Sequence, residues 1–372
     1  MAPSGASDAR FMALALALGR RTMGRTWPNP ADGCVIVNNG RVVGRGWTAE
    51  GGRPHAETRA LAQAGDAARG ATAYVSLEPC AHHGKTPPCA LALVEAGITR
   101  VVSAIEDPDA RVAGKGHAIL RDRGIEVAVG CRALEAARDH AGFFLRQMSG
   151  RPLVTLKLAT SFDGRIATAD GESRWITGPE ARARVHLMRA THDAVMVGGG
   201  TARADDPDLT VRGLGIPSQP VRVVWDSRLR LPPDSRLGRT ARTVPVWLCH
   251  GPEAPEAARD AWRAAGAELV PCPVGPDGHL DAASVLSALG ARGLTRVFCE
   301  GGGALAASLL SAGLADRLVG FTAGLILGAD GRAAIGPMAF PALADHPRFH
   351  LVGVERVGAD ILHHWEQPAE RG

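Results

Sequence analysis

Tyrosine is almost missing from this chain: Tyr74 is the only one in 372 residues. A site in the C-terminal half built on a tyrosine acid beside a lysine is therefore excluded, and a proton needed there must come from another group, such as Asp205, or from water. Lysine is nearly as scarce. Lys85, Lys115 and Lys157 are the only three, and arginine supplies the other positive charges. Aromatic residues make up 4% of the chain and no basic run is present. That argues against a groove that binds nucleic acid by charge and stacking. Long apolar runs are absent as well. Phe11 to Leu18 is apolar but short, and Arg20 and Arg21 follow it rather than precede it, so it reads as a first helix, neither a signal peptide nor a membrane span. Seven cysteines, an odd number, form no disulfide framework. They suit a reducing compartment, and the chain is expected to be cytoplasmic.

What is present begins with length. At 372 residues the chain is expected to form two domains. Basic residues exceed acidic ones by 42 to 38, and the whole excess lies in the first 150 residues, which fits a small anionic substrate. One stretch organises the rest. His55-Ala56-Glu57 is followed, after a strand-like run, by Glu78-Pro79-Cys80 and, with eight residues intervening, by Cys89. One histidine and two thiolates suit Zn²⁺, and three protein ligands leave a fourth position for water. Glu57 is not needed as a ligand and is free to move protons, the arrangement of the zinc deaminases. The competing reading is a structural zinc with His82 or His83 as fourth ligand; the acid two residues after His55 and the proline before Cys80 count against it. The intervening loop carries His82, His83 and Lys85, which are phosphate-compatible groups.

Taken in order, residues 1–7 read as a tail and Ser7 or Asp8 as a cap for a helix to about Arg21. Strands at Cys34–Asn38 and Arg41–Trp47 pair across Asn39-Gly40. A helix follows from His55, and strands and helices then alternate to a last helix from about Ala133 to Met148, an α/β sandwich. Ser149-Gly150-Arg151-Pro152 marks the boundary, giving domains 1–149 and 150–372. In the second, Gly198-Gly199-Gly200 follows one short apolar strand, and Glu300-Gly301-Gly302-Gly303 follows another and opens into a helix, a phosphate cradle in form. Asp205-Asp206-Pro207 reads as a turn. No acid stands where a standard dinucleotide-binding domain would hold a ribose, so that fold is rejected.

The runs Cys80-Ala-His-His-Gly-Lys-Thr-Pro-Pro-Cys89 and Val112-Ala-Gly-Lys-Gly116, with Asp163-Gly-Arg165 and Gly171-Glu-Ser173 to Thr177, resemble the bifunctional riboflavin-biosynthesis deaminase/reductases over nearly the whole chain. The resemblance implies a cytidine-deaminase-like α/β/α sandwich followed by a dihydrofolate-reductase-like α/β domain, with one Zn²⁺ per chain and NADPH as cofactors. It implies zinc on His55, Cys80 and Cys89, and Glu57 as the catalytic proton carrier. The cofactor would meet Ala159, Trp175, Thr201, Asp205, Ser227 and the run Gly302, Gly303, Ala304, Leu305, Ala306, Ala307 and Ser308. The substrate would meet Asn29, His82 and Lys85 in the first domain, and Lys157, Ser173, Arg189, Leu209, Arg212 and Glu300 in the second. Two arginines suit a phosphate monoester. One departure stands out: Asp32 occupies a place in Trp27-Pro-Asn-Pro-Ala-Asp-Gly33 where the family has an apolar residue. The implied partners are small phosphoribosylaminopyrimidines, with neither nucleic acid nor membrane; a homo-oligomer is compatible with the sequence. Two other readings are a nucleoside or nucleic-acid deaminase with an accessory domain, and a zinc-stabilised binding module with a nucleotide-holding second half.

Overall fold

Asn39 and Gly40 both take positive φ, 49° and 75°, and turn β1 (Gly33–Asn38) back into β2 (Arg41–Trp47) as an antiparallel pair. This tight turn is the one that Asn-Gly favours. The computed structural model describes residues 5–81, 87–109, 113–275 and 277–368. It divides into two compact units, the first ending at Gly150 and the second beginning at Arg151.

In the first unit α1 (Gly5–Gly19) precedes the hairpin. Then come α2 (Ala56–Ala64), β3 (Thr72–Val75), α3 (Cys89–Glu95), β4 (Arg100–Ser103), α4 (Lys115–Asp122), β5 (Glu126–Val129) and α5 (Ala133–Ser149). The sheet order is β2-β1-β3-β4-β5, with β1 antiparallel to both neighbours and β3, β4 and β5 parallel. Alternation along β1 shows why helices cover both faces. Cys34 and Ile36 point into a core with Ala56, Ala60, Leu93 and Leu120, from α2, α3 and α4. Val35 and Val37 point the other way, into a core with Phe11, Met12, Leu16 and Ala136, from α1 and α5. The α/β/α sandwich follows from that period of two.

Small residues set the distance between α2 and the sheet. A Cβ on Gly46 would fall 1.9 Å from the Ala56 carbonyl oxygen, and one on Gly44 2.2 Å from that of Ala60. Glycine on the strand facing alanine on the helix brings α2 close enough to aim its first turn at the end of β3.

The second unit contains β6 (Leu153–Thr160), β7 (Arg165–Ala167), α6 (Pro179–Ala190), β8 (Ala194–Gly198), α7 (Gly199–Asp205), β9 (Val221–Trp225), α8 (Arg236–Arg239), β10 (Val246–His250) and α9 (Glu256–Ala265). It continues with β11 (Glu268–Pro271), α10 (Ala282–Ala291), β12 (Arg296–Cys299), α11 (Gly303–Ser311), β13 (Arg317–Thr322), β14 (Arg332–Ala333), β15 (His350–Val357) and β16 (Asp360–Glu366). Nine strands form one sheet in the order β11-β10-β9-β8-β12-β6-β13-β16-β15, parallel from β11 to β13 and antiparallel beyond. The parallel strands are nearly continuous apolar runs, as a sheet buried on both faces requires.

Several local expectations change. Residues 5–7 are helical, so Ser7 and Asp8 lie inside α1 rather than capping it. Asp8 instead accepts hydrogen bonds from Tyr74 at 2.8 Å and Arg100 at 2.9 and 3.0 Å, fixing α1 to the sheet. Both glycine turns open helices, not only the second. Asp205 is the last residue of α7, and the turn is made by Asp206 at φ 39°. β15 is the sheet's edge, with β16 lying between it and β13.

Candidate active site

His55 is the residue at which α2 begins, with extended backbone (φ −71°, ψ 164°), and Glu57 sits in the helix's first turn. Cys80 follows β3 by a few residues, and Cys89 is the first residue of α3 behind Pro88. Two helix starts and one strand end thus bring three donors together. His55 Nδ1 lies 3.7 Å from Cys80 Sγ and 3.4 Å from Cys89 Sγ. The Cys89 amide donates to Cys80 Sγ at 3.3 Å, and the Ala90 amide to the Cys80 carbonyl at 3.2 Å.

These donors fit a zinc ion. All three ligand atoms lie within 4.8 Å of one another. The two sulfurs also divide one proton unequally: the hydrogen bond from Cys89 holds the Cys80 thiol down to about 4, while Cys80 pushes Cys89 up. A dication placed among them would let both ionise. Glu57 is 2% exposed, and its Oε2 is buried without a hydrogen-bond partner among the described residues. Burial first, and the charge of Cys80 second, push its carboxyl up to about 7. A carboxyl so placed is suited to taking and returning a proton near neutral pH.

His55, Glu57 and Cys80 face a cavity of about 350 Å³ that Asn29, Asp32, Thr48 and Asp107 also line. Asn29 Nδ2 donates to the Gly52 carbonyl at 3.0 Å, which fixes the amide in the cavity wall. His82 and Lys85, expected on the substrate side, lie outside the described residues. Sequence reasoning passed over two groups. Glu78, 7% exposed, accepts the amides of Gly116 at 2.7 Å, Gly114 at 3.0 Å, Asp107 at 3.2 Å and His117 at 3.4 Å, and so fixes the wall that carries Asp107. Phe143 and Arg146 reach the cavity from α5. The acid before Pro79-Cys80 was a visible signal for Glu78; nothing local marks the α5 residues.

In the second unit the expected residues gather at the C-terminal ends of four adjacent parallel strands, β9, β8, β12 and β6, where open α/β sheets hold ligands. Ser227 follows β9, Thr201 follows β8 at the start of α7, Glu300 and Gly302 follow β12, and Lys157 and Ala159 lie on β6. The Gly302 amide donates to Thr201 Oγ1 at 3.0 Å and ties the two glycine turns together. A Cβ on Gly303 would fall 2.9 Å from the Ala333 carbonyl oxygen, so the α11 turn approaches neighbouring backbone where a side chain would not fit. Leu305, Ala306 and Ala307 point into the core, leaving Gly302, Gly303 and Ala304 as the accessible part of that run with Ser308 half-buried. Two helix starts beside each other suit the phosphates of a dinucleotide.

Arg189 grips Glu300 through two of its three guanidinium nitrogens, at 2.5 and 3.1 Å, and donates from the third to the Thr210 carbonyl at 2.9 Å; Lys157 stands 4.0 Å from the same carboxylate. Burial works to raise Glu300, but Arg189 and Lys157 outweigh it and hold the carboxyl below its usual range. Burial lowers Lys157 despite Glu300 beside it. Leu209 is buried at φ 54°, and Arg212 pairs with Asp208 at 2.9 Å on the surface. Trp175 is exposed beneath the Arg182 guanidinium, Ser173 is half-buried near it, and Asp205 is exposed with its carbonyl bound by Arg174 at 3.0 Å.

Comparison with known proteins matches this division. Residues 6–105 match the cytidine and deoxycytidylate deaminase zinc-binding region, and residues 152–363 match the RibD C-terminal domain. The chain is 40% identical to the riboflavin biosynthesis protein RibD of Escherichia coli (strain K12), over 96% of this chain and 98% of that one. It is 42% identical to that of Haemophilus influenzae, over 95% and 96%. Among solved structures, Acinetobacter baumannii RibD superposes with a TM-score of 0.87 at 38% identity, covering 98% of this chain and 99% of that one. The Thermotoga maritima diaminohydroxyphosphoribosylaminopyrimidine deaminase/5-amino-6-(5-phosphoribosylamino)uracil reductase gives 0.85 at 33%, covering 98% and 99%. Among the described residues no helix is long and apolar enough to cross a membrane. With relatives this similar over nearly their whole length and family models that match both parts of the chain, the chain belongs to the family of the riboflavin biosynthesis protein RibD.

Proposed function

We propose that the chain performs two consecutive reactions of riboflavin synthesis. The first removes an amine hydrolytically from 2,5-diamino-6-(5-phosphoribosylamino)pyrimidin-4(3H)-one. The second reduces 5-amino-6-(5-phosphoribosylamino)uracil to its ribitylamino form at the expense of NADPH. Residues 1–149 carry the deaminase and residues 150–372 the reductase. The observation that carries the reading is the convergence of His55, Cys80 and Cys89 beside the unpartnered Oε2 of buried Glu57.

His55 Nδ1 and the two sulfurs would hold zinc, which when bound makes water acidic enough to serve as a nucleophile near neutral pH. Glu57 Oε2 takes the proton released from that water and returns it to the leaving amine. Asn29, held by Gly52, orients the ring. In the second unit the turns at Thr201 and Gly302 would hold NADPH, which supplies the hydride. Glu300 fixes Arg189 and Lys157 as a compact group on the substrate side, with exposed Arg212 two residues beyond Thr210, whose carbonyl Arg189 binds. All seven cysteines are free, which suits a cytoplasmic enzyme acting on small molecules.

The test is to give the zinc-loaded protein the diaminopyrimidine substrate and NADPH and to follow ammonia and cofactor absorbance together. Ammonia release preceding NADPH oxidation is expected. Oxidation of NADPH without ammonia, or ammonia without later oxidation, overturns the paired assignment.

A further inference from the structure

Asp32 is 7% exposed and lines the same cavity as Glu57. Its backbone is held on both sides: its amide donates to Thr48 Oγ1 at 3.1 Å, and the Thr48 amide donates to its carbonyl at 2.9 Å. Its side chain is held by one oxygen only. Oδ1 accepts the Gly33 amide at 2.8 Å and a short hydrogen bond from the Ser76 hydroxyl, whose oxygen itself accepts the Gly33 amide at 2.9 Å. This bracing joins the start of β1 to the end of β3 and accounts for Oδ1. It leaves Oδ2 with no hydrogen-bond partner among the described residues. Oδ2 is therefore left open to the cavity, where a ligand can bond it. An alanine or valine would offer no such group, and nothing in the fold asks for the second oxygen.

We propose that Asp32 is a specificity residue of the deaminase cavity, its Oδ2 forming a hydrogen bond with a polar atom on the edge of the aminopyrimidine ring whose amine Glu57 serves. This rests on the deaminase reading of the cavity. A site built to hydrogen-bond one ring atom rejects rings that lack it, because such a ring would cover the protein group and leave it unpaired. Asp32 thereby adds to what Asn29 reads from another wall.

The test uses the full-length zinc-loaded protein with Asp32→Val and Asp32→Asn, and the diaminopyrimidine phosphoribosyl substrate. In ammonia release, Asp32→Val should raise KM about tenfold, the worth of one lost hydrogen bond, with a smaller change in kcat. Asp32→Asn keeps the size and an acceptor for the Gly33 amide and the Ser76 hydroxyl, and serves as the control for the brace. Zinc content should stay at one per chain in both. Binding of the same substrate to Glu57→Gln, measured by calorimetry, should weaken about tenfold when Asp32→Val is added. Equal affinity of the single and double variants overturns the proposal. So does loss of zinc from both Asp32 variants, which would make the carboxyl a brace alone. If the wild type binds substrate but releases no ammonia, the deaminase reading falls, and the binding ratio still decides Asp32.

Discussion

Glu57 and Glu78 line the same cavity, and their carboxylates are held differently. Glu78 spends both oxygens on four backbone amides. Glu57 keeps Oε2 bare. Replacing Glu57 by glutamine preserves size and removes the capacity to carry a proton. Ammonia release should fall by about 10²–10⁴-fold. Zinc content, measured by metal analysis, should stay at one per chain, and NADPH oxidation with the deaminated uracil should be normal. Loss of zinc would make Glu57 a ligand. The ligand set could be read from the sequence because metal chemistry restricts residue types and the ligands fall in two short runs around His55 and Cys80. The amide cage around Glu78 could not, since it depends on a chain reversal some 30 to 40 residues later. Asp32 was visible only as a departure from a pattern; its brace to Ser76 crosses from β1 to β3.

Elements hold these side chains by close approach. Gly46 is the point where β2 touches the α2 backbone, and α2 carries His55 and Glu57 at its start. In Gly46→Ala the new methyl would overlap the Ala56 carbonyl, so α2 must shift. Zinc affinity, measured by competition with a chromophoric chelator, should drop along with ammonia release. Reduction of the deaminated substrate should not change. In the other unit Asp193, 2% exposed, accepts the Thr295 amide at 2.6 Å, the Thr295 hydroxyl at 2.7 Å and the Arg296 amide at 2.9 Å, fixing β8 against β12. Asp193→Ala leaves these donors buried without an acceptor, at about 1–3 kcal/mol each. Denaturant unfolding should show a lower midpoint for this variant. Elements with strong local signals were legible: the Asn-Gly hairpin and the glycine turns. β16 was not, because His363 and His364 break its apolar pattern and its strand character comes from pairing with β13 and β15. Long-range pairing of that kind leaves no local trace.

At the scale of the whole chain, each candidate site is built within a single unit. Every residue lining the first cavity precedes Gly150, and the glycine turns, Lys157, Arg189 and Glu300 all follow it. Removing zinc with a chelator should therefore abolish ammonia release and leave NADPH oxidation on the deaminated uracil intact, both restored or unaffected when zinc returns. Loss of both activities on chelation would contradict two self-contained catalysts.

Tyr74 gives the two units separate optical voices. It lies at 0% exposure on β3, and burial first, then its hydrogen bond to Asp8, raise its phenol far above the ordinary value of about 10. The stability this lends is complete below about pH 10 and is lost as pH climbs toward the folded value. Because the second unit has no tyrosine, phenolate absorbance can come from the first unit alone. In moderate alkali the intact protein should show no rise in phenolate absorbance, and denaturant should bring up the signal of a single ionised tyrosine when the first unit opens. Absorbance that appears at ordinary alkaline pH without unfolding would mean the phenol is already open to solvent.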